Sequence, residues 1–241
     1  TRCSRDWSSD VCSSDLTSAL LFIGTLLFFR EPDRKVKVAE TRTFGKVFAD
    51  MVTVFGNIRF ITFLVIFSGF WTMFWQIFYS FPFYVRDVLK FDDFELLETV
   101  DAIAIIFLTV PMAALVRNWK PFSAMTAGFL IASLSWIIIA LTGTVTGSII
   151  AIAVYAVGEA IQAPRFYDYV SSLAPQEQVG TYMGFAFLPV AIGSFTAGPV
   201  ADWLRTNYLQ TDPAFMWYVM ACIGLTSTAL MLLYNTFLVK K

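Results

Sequence analysis

The sequence has no histidine, few charged residues and only three cysteines, and each of these scarcities excludes a class of protein. Without histidine it lacks the commonest catalytic base and metal ligand, so we predict no metal site and no cofactor. Three cysteines do not build the disulfide framework of a small secreted domain. The net charge of −1 offers no basic surface to nucleic acid.

Apolar side chains are abundant instead. Of the 241 residues, 57% are hydrophobic and 15% are charged, and the mean hydropathy is +0.67. Soluble domains average about 45–50% apolar and about 25% charged residues. This composition predicts an integral, multi-pass protein of the lipid bilayer. We do not expect an enzyme, because no nucleophile with a matching base and no glycine-rich phosphate loop is present.

Long apolar stretches predict six complete membrane-spanning helices. A helix needs about 20 apolar residues to cross the hydrocarbon core. Residues 121–158 are long enough for two helices, separated by the turn-rich segment 142–147, and the second continues to about residue 163. The other four stretches are residues 60–85, 96–116, 178–201 and 213–239. Residues 16–29 are apolar but shorter, which is typical of the end of a truncated span.

The chain is therefore divided into four segments. Residues 1–15 are interpreted as a sequence artefact or a disordered tail, with a genuine polar loop as the alternative. Residues 16–29 end a truncated span, residues 30–58 form a cytoplasmic linker, and residues 59–241 form the six-helix domain. The linker carries an apolar stripe that predicts a helix at the membrane interface or, alternatively, one packed on the bundle. The stripe consists of Phe44, Val47, Phe48, Met51 and Phe55, with Lys46 and Asp50 off it.

The basic residues predict the orientation of the spans. When the connections are assigned alternately to the two sides, twelve Lys and Arg fall on one side and three on the other. Because basic residues concentrate in cytoplasmic loops, the long linker and the C-terminus are predicted to be cytoplasmic. The predicted location is the plasma (inner) membrane.

The order of these elements resembles the C-terminal half of a major facilitator superfamily transporter. In that family twelve spans form two six-helix halves joined by a cytoplasmic loop. The resemblance covers residues 16–241 and implies an all-α polytopic bundle, namely the second six-helix half plus the end of the sixth span. It also implies a partner, the N-terminal six-helix half.

Short motifs sharpen the resemblance to the proton-dependent oligopeptide transporter family. The run Phe70-Trp-Thr-Met-Phe-Trp-Gln76 with Ser80 is similar to a motif in the seventh span of that family. Its tenth and eleventh spans are matched by Gly158-Glu159, Pro164, Ser172-Leu-Ala-Pro175, Gly180, Met183-Gly184, Gly193 and Ala197-Gly198. The sequence departs from the family at Ala186, where tryptophan is usual, and at Asp101-Ala102, where Asn-Pro is frequent. These positions are among those that contact substrate, so the departures bear on substrate class.

The resemblance implies a secondary active transporter that takes up a small polar solute, such as a short peptide, together with protons. The alternative within the family is a carrier or exporter of another substrate, such as a sugar, a drug or a lipid. A non-transporting membrane protein is the alternative from another class.

Glu159 is the strongest candidate for proton coupling. If its helix begins near Gly147, Glu159 lies about 18 Å along it, near the middle of the bilayer. An apolar environment favours the protonated form of a carboxyl group, so Glu159 is suited to take up and release a proton. The family's glutamate also falls at this position. The alternative is a protonated side chain that is hydrogen-bonded between helices.

Asp101 is the second candidate for proton coupling, with a structural role as its alternative, whereas Glu98 is interpreted as a solvated residue at the rim. Aromatic and polar side chains in the first and fourth spans are suited to line a cavity for a polar organic ligand. These predicted substrate-binding residues are Gln76, Trp71, Trp75, Tyr79, Ser80 and Tyr155. For the aromatic residues, packing or an interfacial aromatic belt is the alternative.

Overall fold

The computed structural model describes residues 7–29 and 44–239 of the chain. The predictions made for residues 1–6, for 30–43 and for the two C-terminal lysines lie outside the described residues. The chain divides into two units at residue 43. In the first unit, α1 (Trp7–Phe28) is a single helix that contains residues 16–28 and begins within the segment interpreted as an artefact or tail. That interpretation, and the assignment of 16–29 to a truncated span, stay predictions.

The second unit consists of helices, and six stretches of it are long and apolar enough to cross a membrane, as predicted. An interfacial candidate, α2 (Phe44–Phe55), precedes them. The first span comprises α3 (Ile58–Phe74), α4 (Gln76–Tyr79) and α5 (Phe81–Asp87). The other spans are α6 (Phe94–Leu115), α7 (Pro121–Thr142), α8 (Val145–Leu173), α9 (Val179–Phe185) continued by α10 (Leu188–Tyr208), and α11 (Pro213–Tyr234) with a short π-helical end (Asn235–Val239).

The connection between α7 and α8 follows from its residues. Gly143 ends α7 with a φ of 56°, a left-handed conformation that glycine adopts without a steric penalty. Thr144 then caps α8, since its Oγ1 accepts a hydrogen bond of 3.1 Å from the backbone N–H of Gly147. This arrangement confirms the turn that the sequence predicts between the third and fourth spans.

The end of α8 corrects a predicted boundary. The sequence placed it near Ala163, but the helix continues ten residues further, to Leu173. Pro164 lies inside the helix, where it removes one backbone hydrogen bond without ending the helix. Because Arg165, Asp168 and Ser171 find partners along this extension, the polar residues that follow the apolar stretch remain helical.

Close packing joins α7 to α8 and α3 to α10. A Cβ atom added to Gly158 would lie 2.5 Å from the carbonyl oxygen of Gly128, so these two helices touch through their backbones. At Gly193 of α10 an added Cβ would lie 2.3 Å from Cβ of Trp71. In contrast, of the residues of α6 only Leu97 is buried. The bundle therefore leaves most of α6 uncovered.

The described side chains of α2 divide between the core and the surface. Val54, which is not part of that stripe, is fully buried in the core, whereas Met51 and Phe55 are exposed. The ring of Phe55 also packs edge-on against Phe185 of α9, at 5.1 Å between centroids. The α2 helix thus packs on the bundle through Val54, in agreement with the alternative stated for this segment. Its placement at the membrane interface stays a prediction.

Candidate functional site

Two carboxylates from different spans meet inside the bundle. Glu159 lies on α8, about 21 Å from the first residue of the helix at 1.5 Å per residue. Asp101 lies on α6, which packs against α8, and it is close enough to interact electrostatically with Glu159. Both side chains are half-buried. The structure therefore brings together the two residues that the sequence singles out for proton coupling.

The carboxylates lack the partners that buried charges normally have. Oε2 of Glu159 and Oδ1 of Asp101 are buried without a hydrogen-bond partner among the described residues. No Lys or Arg of the described part of the chain forms an ion pair with either of them. Buried polar groups are almost always satisfied in folded proteins, and the exceptions call for an explanation. The arrangement can accept a proton or a positively charged group.

Tyr155 points its hydroxyl into the same place. Its side chain is 1% exposed, its hydroxyl has no hydrogen-bond partner in the described part of the chain, and it interacts electrostatically with both Glu159 and Asp101. The ring packs between Phe70, at 5.7 Å, and Trp136, at 5.5 Å. Packing holds the ring, and the hydroxyl remains available as a hydrogen-bond donor.

Aromatic residues of α3 continue this surface. The ring of Phe74 lies 6.5 Å from that of Tyr155, and it also contacts Trp71 at 5.2 Å and Trp75 at 5.8 Å. The indole nitrogens of Trp71 and Trp75 are buried without acceptors among the described residues. Two of the predicted binding residues are therefore connected to Tyr155 through one intervening ring.

Gln76 and Ser80 lie in a different environment. Both are buried, Nε2 of Gln76 donates to the backbone oxygen of Ala197 at 3.1 Å, and the hydroxyl of Ser80 donates to Oε1 of Gln76. These bonds join the break between α4 and α5 to α10. The structure thus uses both side chains to hold helices together. Their predicted contact with substrate is not part of this arrangement.

Tyr79 also lies apart from the carboxylates. Its ring stacks on Trp75 at 5.7 Å, and it borders a separate cavity of 260 Å³ between the first span and α10. That cavity is lined by Phe78, Tyr79, Phe83, Gly198, Ala201, Asp202 and Arg205. Gln76, Ser80 and Tyr79, which the sequence places in one site with Tyr155, therefore belong to other parts of the bundle.

Sequence reasoning predicts the ion pair of Arg165 with Asp168, which is present at 3.2 Å, but it missed Gln162 and the contact of Arg165 with Val116. Gln162, one turn after Glu159, is 2% exposed, and its Oε1 has no partner among the described residues. An amide in an apolar span at this spacing is a signal that was available. Arg165 donates from Nη2 to the backbone oxygen of Val116 at 2.8 Å. Because the two residues are 49 positions apart, no local pattern predicts that contact.

Comparison with known proteins decides the family. Residues 16–198, most of the chain, match the Major Facilitator Superfamily. The chain belongs to this superfamily. Its members are carriers and not enzymes, so the prediction that the chain is not an enzyme is confirmed. Membership together with the six candidate spans also confirms an integral, multi-pass membrane protein.

The similar proteins are bacterial carriers. The multidrug resistance protein MdtH of Salmonella paratyphi B is 27% identical over 211 residues, which cover 86% of this chain and 52% of that protein. MdtH of Aeromonas hydrophila subsp. hydrophila is 28% identical over 200 residues, which cover 80% of this chain and 47% of that protein. The chain thus spans about half the length of the curated relatives it matches.

Two solved structures share the fold. A POT family transporter in complex with 5-aminolevulinic acid has a TM-score of 0.64 and 14% identity, and the match covers 98% of this chain and 54% of that one. A POT family transporter in complex with a thioalcohol-conjugated peptide has a TM-score of 0.62 at the same identity and coverage. The predicted fold, a six-helix half of such a transporter, is confirmed.

Proposed function

We propose that this chain is the C-terminal half of a twelve-span secondary carrier driven by protons, with Glu159 and Asp101 as its proton-coupling residues. The observation that carries the proposal is that these two carboxylates lie near enough to interact inside the bundle, each with a buried oxygen that has no partner among the described residues. Two carboxylates in one apolar site do not both stay ionised, because each disfavours the charge of the other. Uptake of one proton by either residue relieves this repulsion.

In the proposed transport cycle, the proton and the solute bind at the same site. In the state open to the outside, the pair takes up a proton and the solute binds next to it. The two halves then rock against each other and expose the site to the cytoplasm. Loss of the proton to the cytoplasm and release of the solute return the carrier to its starting state. Tyr155, whose hydroxyl has no other partner, hydrogen-bonds the solute or the ionised Glu159.

A short peptide is the first proposed solute. Its amino group suits the carboxylate pair, and Trp71, Trp75 and Phe74 provide flat apolar surface for its side chains. Its carboxylate needs a cation, and no Lys or Arg lies against Glu159 or Asp101 in the described part of this chain. That cation is therefore assigned to the other half of the carrier.

Export of positively charged drugs is the second candidate. The same lack of a basic partner favours a solute that has a cation and no anion, bound between the carboxylates and the aromatic rings. The similarity to MdtH, a multidrug resistance protein, supports this candidate. It keeps the same proton-coupling pair and reverses the direction of solute movement.

The proposed partner within the carrier is the N-terminal six-helix half. The large uncovered face of α6 supports it, since Ile106, Phe107 and Val110 are all more than 70% exposed in this bundle. In the same proposal the chain lies in the inner membrane with its C-terminus in the cytoplasm, because twelve of its basic residues fall on that side and three on the other.

The test uses the complete carrier in proteoliposomes with an inward proton gradient. Wild type, Glu159→Gln and Glu95→Gln are compared for uptake of a labelled dipeptide. Glu95 is exposed at the start of α6, so its variant controls for the loss of one carboxylate. We expect wild type and Glu95→Gln to accumulate the dipeptide against its gradient. Glu159→Gln should only exchange it.

A parallel arm separates the two solutes. Vesicles loaded with a fluorescent organic cation are placed under the same inward proton gradient, which drives the cation out if protons enter in exchange for it. If the cation leaves against its own gradient and the dipeptide does not accumulate, the drug candidate replaces the peptide. If Glu159→Gln still moves either solute against its gradient as wild type does, the proposed coupling role of Glu159 is wrong.

A further inference from the structure

Arg165 makes two directional contacts at the end of α6. Its side chain is 15% exposed. Nη2 donates to the backbone oxygen of Val116 at 2.8 Å, and Nη1 pairs with Oδ2 of Asp168 at 3.2 Å. Val116 is the residue that follows the last residue of α6. One planar guanidinium therefore joins the C-terminus of α6 to α8.

Both groups that Arg165 contacts, a helix C-terminus and a carboxylate, favour a positively charged partner. The last carbonyl groups of a helix have no partner within the helix and carry partial negative charge, so a cation at that end is stabilised. Arginine presents several N–H donors in a fixed planar fork, which lets it bond a carbonyl and a carboxylate at once. Asp168 holds the guanidinium in place for the bond to Val116.

The contact adds a directional bond to an interface in which α6 packs along α8. Leu97 is the residue of α6 that the bundle buries, and the helix packs mainly on α8. Near their cytoplasmic ends the two helices share a small apolar cluster, in which Val116 and Ile161 are buried and Met112 is partly buried. Apolar contacts of this kind allow a helix to slide or rotate, whereas a hydrogen bond to one backbone carbonyl fixes its position.

We propose that Arg165 is a positioning residue: it clasps α6 to α8 so that the two helices move as one unit. Asp101 and Glu159 then remain together while the carrier changes between its two states. This inference deepens the proposed function, since the clasp serves the same carboxylate pair. The clasp itself, however, concerns only the relative position of two helices, so it can be measured without a transport assay.

Cross-linking measures the position of α6 directly. Met112→Cys and Ile161→Cys are introduced into the complete carrier, with the native cysteines replaced by serine, and disulfide formation under a mild oxidant is timed. One further substitution is then added to this double-cysteine carrier: Arg165→Gln, Arg165→Lys, Asp168→Asn or Arg117→Gln. Arg117 follows Val116 in the chain, is exposed, and its loss removes the same charge.

We expect Arg165→Gln to slow cross-linking about tenfold, the effect of losing one hydrogen bond to a charged group. Asp168→Asn and Arg165→Lys should have smaller effects, and Arg117→Gln none. Equal cross-linking in Arg165→Gln and Arg117→Gln would overturn the clasp. Should Arg165→Gln fail to accumulate in the membrane, Arg165→Lys decides: a rate below that of Arg117→Gln supports the clasp, and an equal rate overturns it.

Uptake kinetics provide a second readout. Because Arg165 does not contact the site, its loss should lower kcat and leave KM of the dipeptide or cation nearly unchanged, with partial recovery in Arg165→Lys. An unchanged kcat in Arg165→Gln would overturn the positioning role. The proposed function is judged separately by Glu159→Gln, so a carrier that loses coupling in that variant and keeps normal cross-linking in Arg165→Gln refutes the clasp alone.

Discussion

Two clusters of buried polar side chains in the bundle, one around Gln76 and one around Glu159, differ in their hydrogen bonding. Around Gln76, the amide and the hydroxyl of Ser80 are bonded to each other and to the backbone of α10. Around Glu159, the carboxylate, the hydroxyl of Tyr155 and Asp101 leave buried atoms without partners. Both groups lie in apolar spans, and both contain residues predicted to bind substrate. In the part of the chain that the structure describes, the first group is hydrogen-bonded and the second is not.

The difference shows how to recognise a ligand site in a membrane bundle. Burial of a polar side chain does not identify one, because a buried amide that makes its hydrogen bonds stabilises helix packing. A buried group that lacks a partner costs free energy in the folded state, so a partner from outside the chain is the explanation to test. On this criterion we expect the region of Gln76 to be structural, and the region of Glu159 is the proposed site of function.

The largest expected effect on stability is at the contact between α3 and α10. A Cβ at Gly193 would lie 2.8 Å from the backbone carbon of Trp71, so Gly193→Ala must push the helices apart. We expect a loss of about 3 kcal/mol in the free energy of unfolding, measured by denaturation in mixed micelles. Gly198→Ala, on the same helix with open space around it, is the control. Equal stability of the two variants would contradict the tight contact.

The next effect compares the two buried glutamines. Gln76→Ala removes two hydrogen bonds and leaves Ser80 without its acceptor, so we expect a loss of about 2 kcal/mol. Gln162→Ala removes an amide whose Oε1 is unpaired, and the loss should be clearly smaller. If Gln162→Ala destabilised the carrier as much as Gln76→Ala does, the distinction between the two regions would fail.

A matched pair of hydroxyl deletions sharpens the same comparison. Ser80→Ala takes away the donor to Gln76 and should cost about 1 kcal/mol of stability with little change in uptake. Tyr155→Phe removes a hydroxyl that has no partner in the described part of the chain, so stability should be unchanged while uptake falls. Thermal unfolding and initial uptake rates of the two variants provide the check. The opposite assignment of effects would place the function near Gln76.

The smallest effect on stability is expected at the carboxylates. Glu159→Gln and Asp101→Asn remove a charge that no ion pair compensates, so the free energy of unfolding should stay within about 0.5 kcal/mol of wild type or rise. Accumulation driven by the proton gradient should nevertheless be lost in Glu159→Gln. A large destabilisation would mean that these residues hold the bundle together, as the alternative to proton coupling states.

The sequence was sufficient for the spans because their signal is local. A run of about 20 apolar residues predicts a membrane helix whatever surrounds it. The end of α8 was predicted too early for a related reason. Apolarity ends near Ala163, but a helix does not end there when the residues beyond find partners in water or on a neighbouring helix, as Arg165 does with Val116 at the end of α6.

The features that the sequence did not predict depend on contacts between residues that are far apart in the chain. Glu159 was found because a carboxylate in an apolar span is conspicuous by itself. The hydrogen bond of Gln76 could not be predicted, because its partner is the backbone oxygen of Ala197 and any residue supplies a backbone oxygen. The contact of Arg165 with Val116 is hidden for the same reason. The chemistry of each side chain can be inferred from the sequence, but the sequence does not show whether its hydrogen bonds are made.

The length of α8 has a mechanical consequence. The helix runs from Val145 to Leu173, with fourteen residues on either side of Glu159. A rod that tilts about its centre swings its ends and leaves its middle in place. With arms of about 21 Å, a tilt of about 10° moves each end by about 4 Å. Glu159 lies at the midpoint of α8, so in the proposed carrier the two ends of the helix would move while this carboxylate stays at a nearly constant depth.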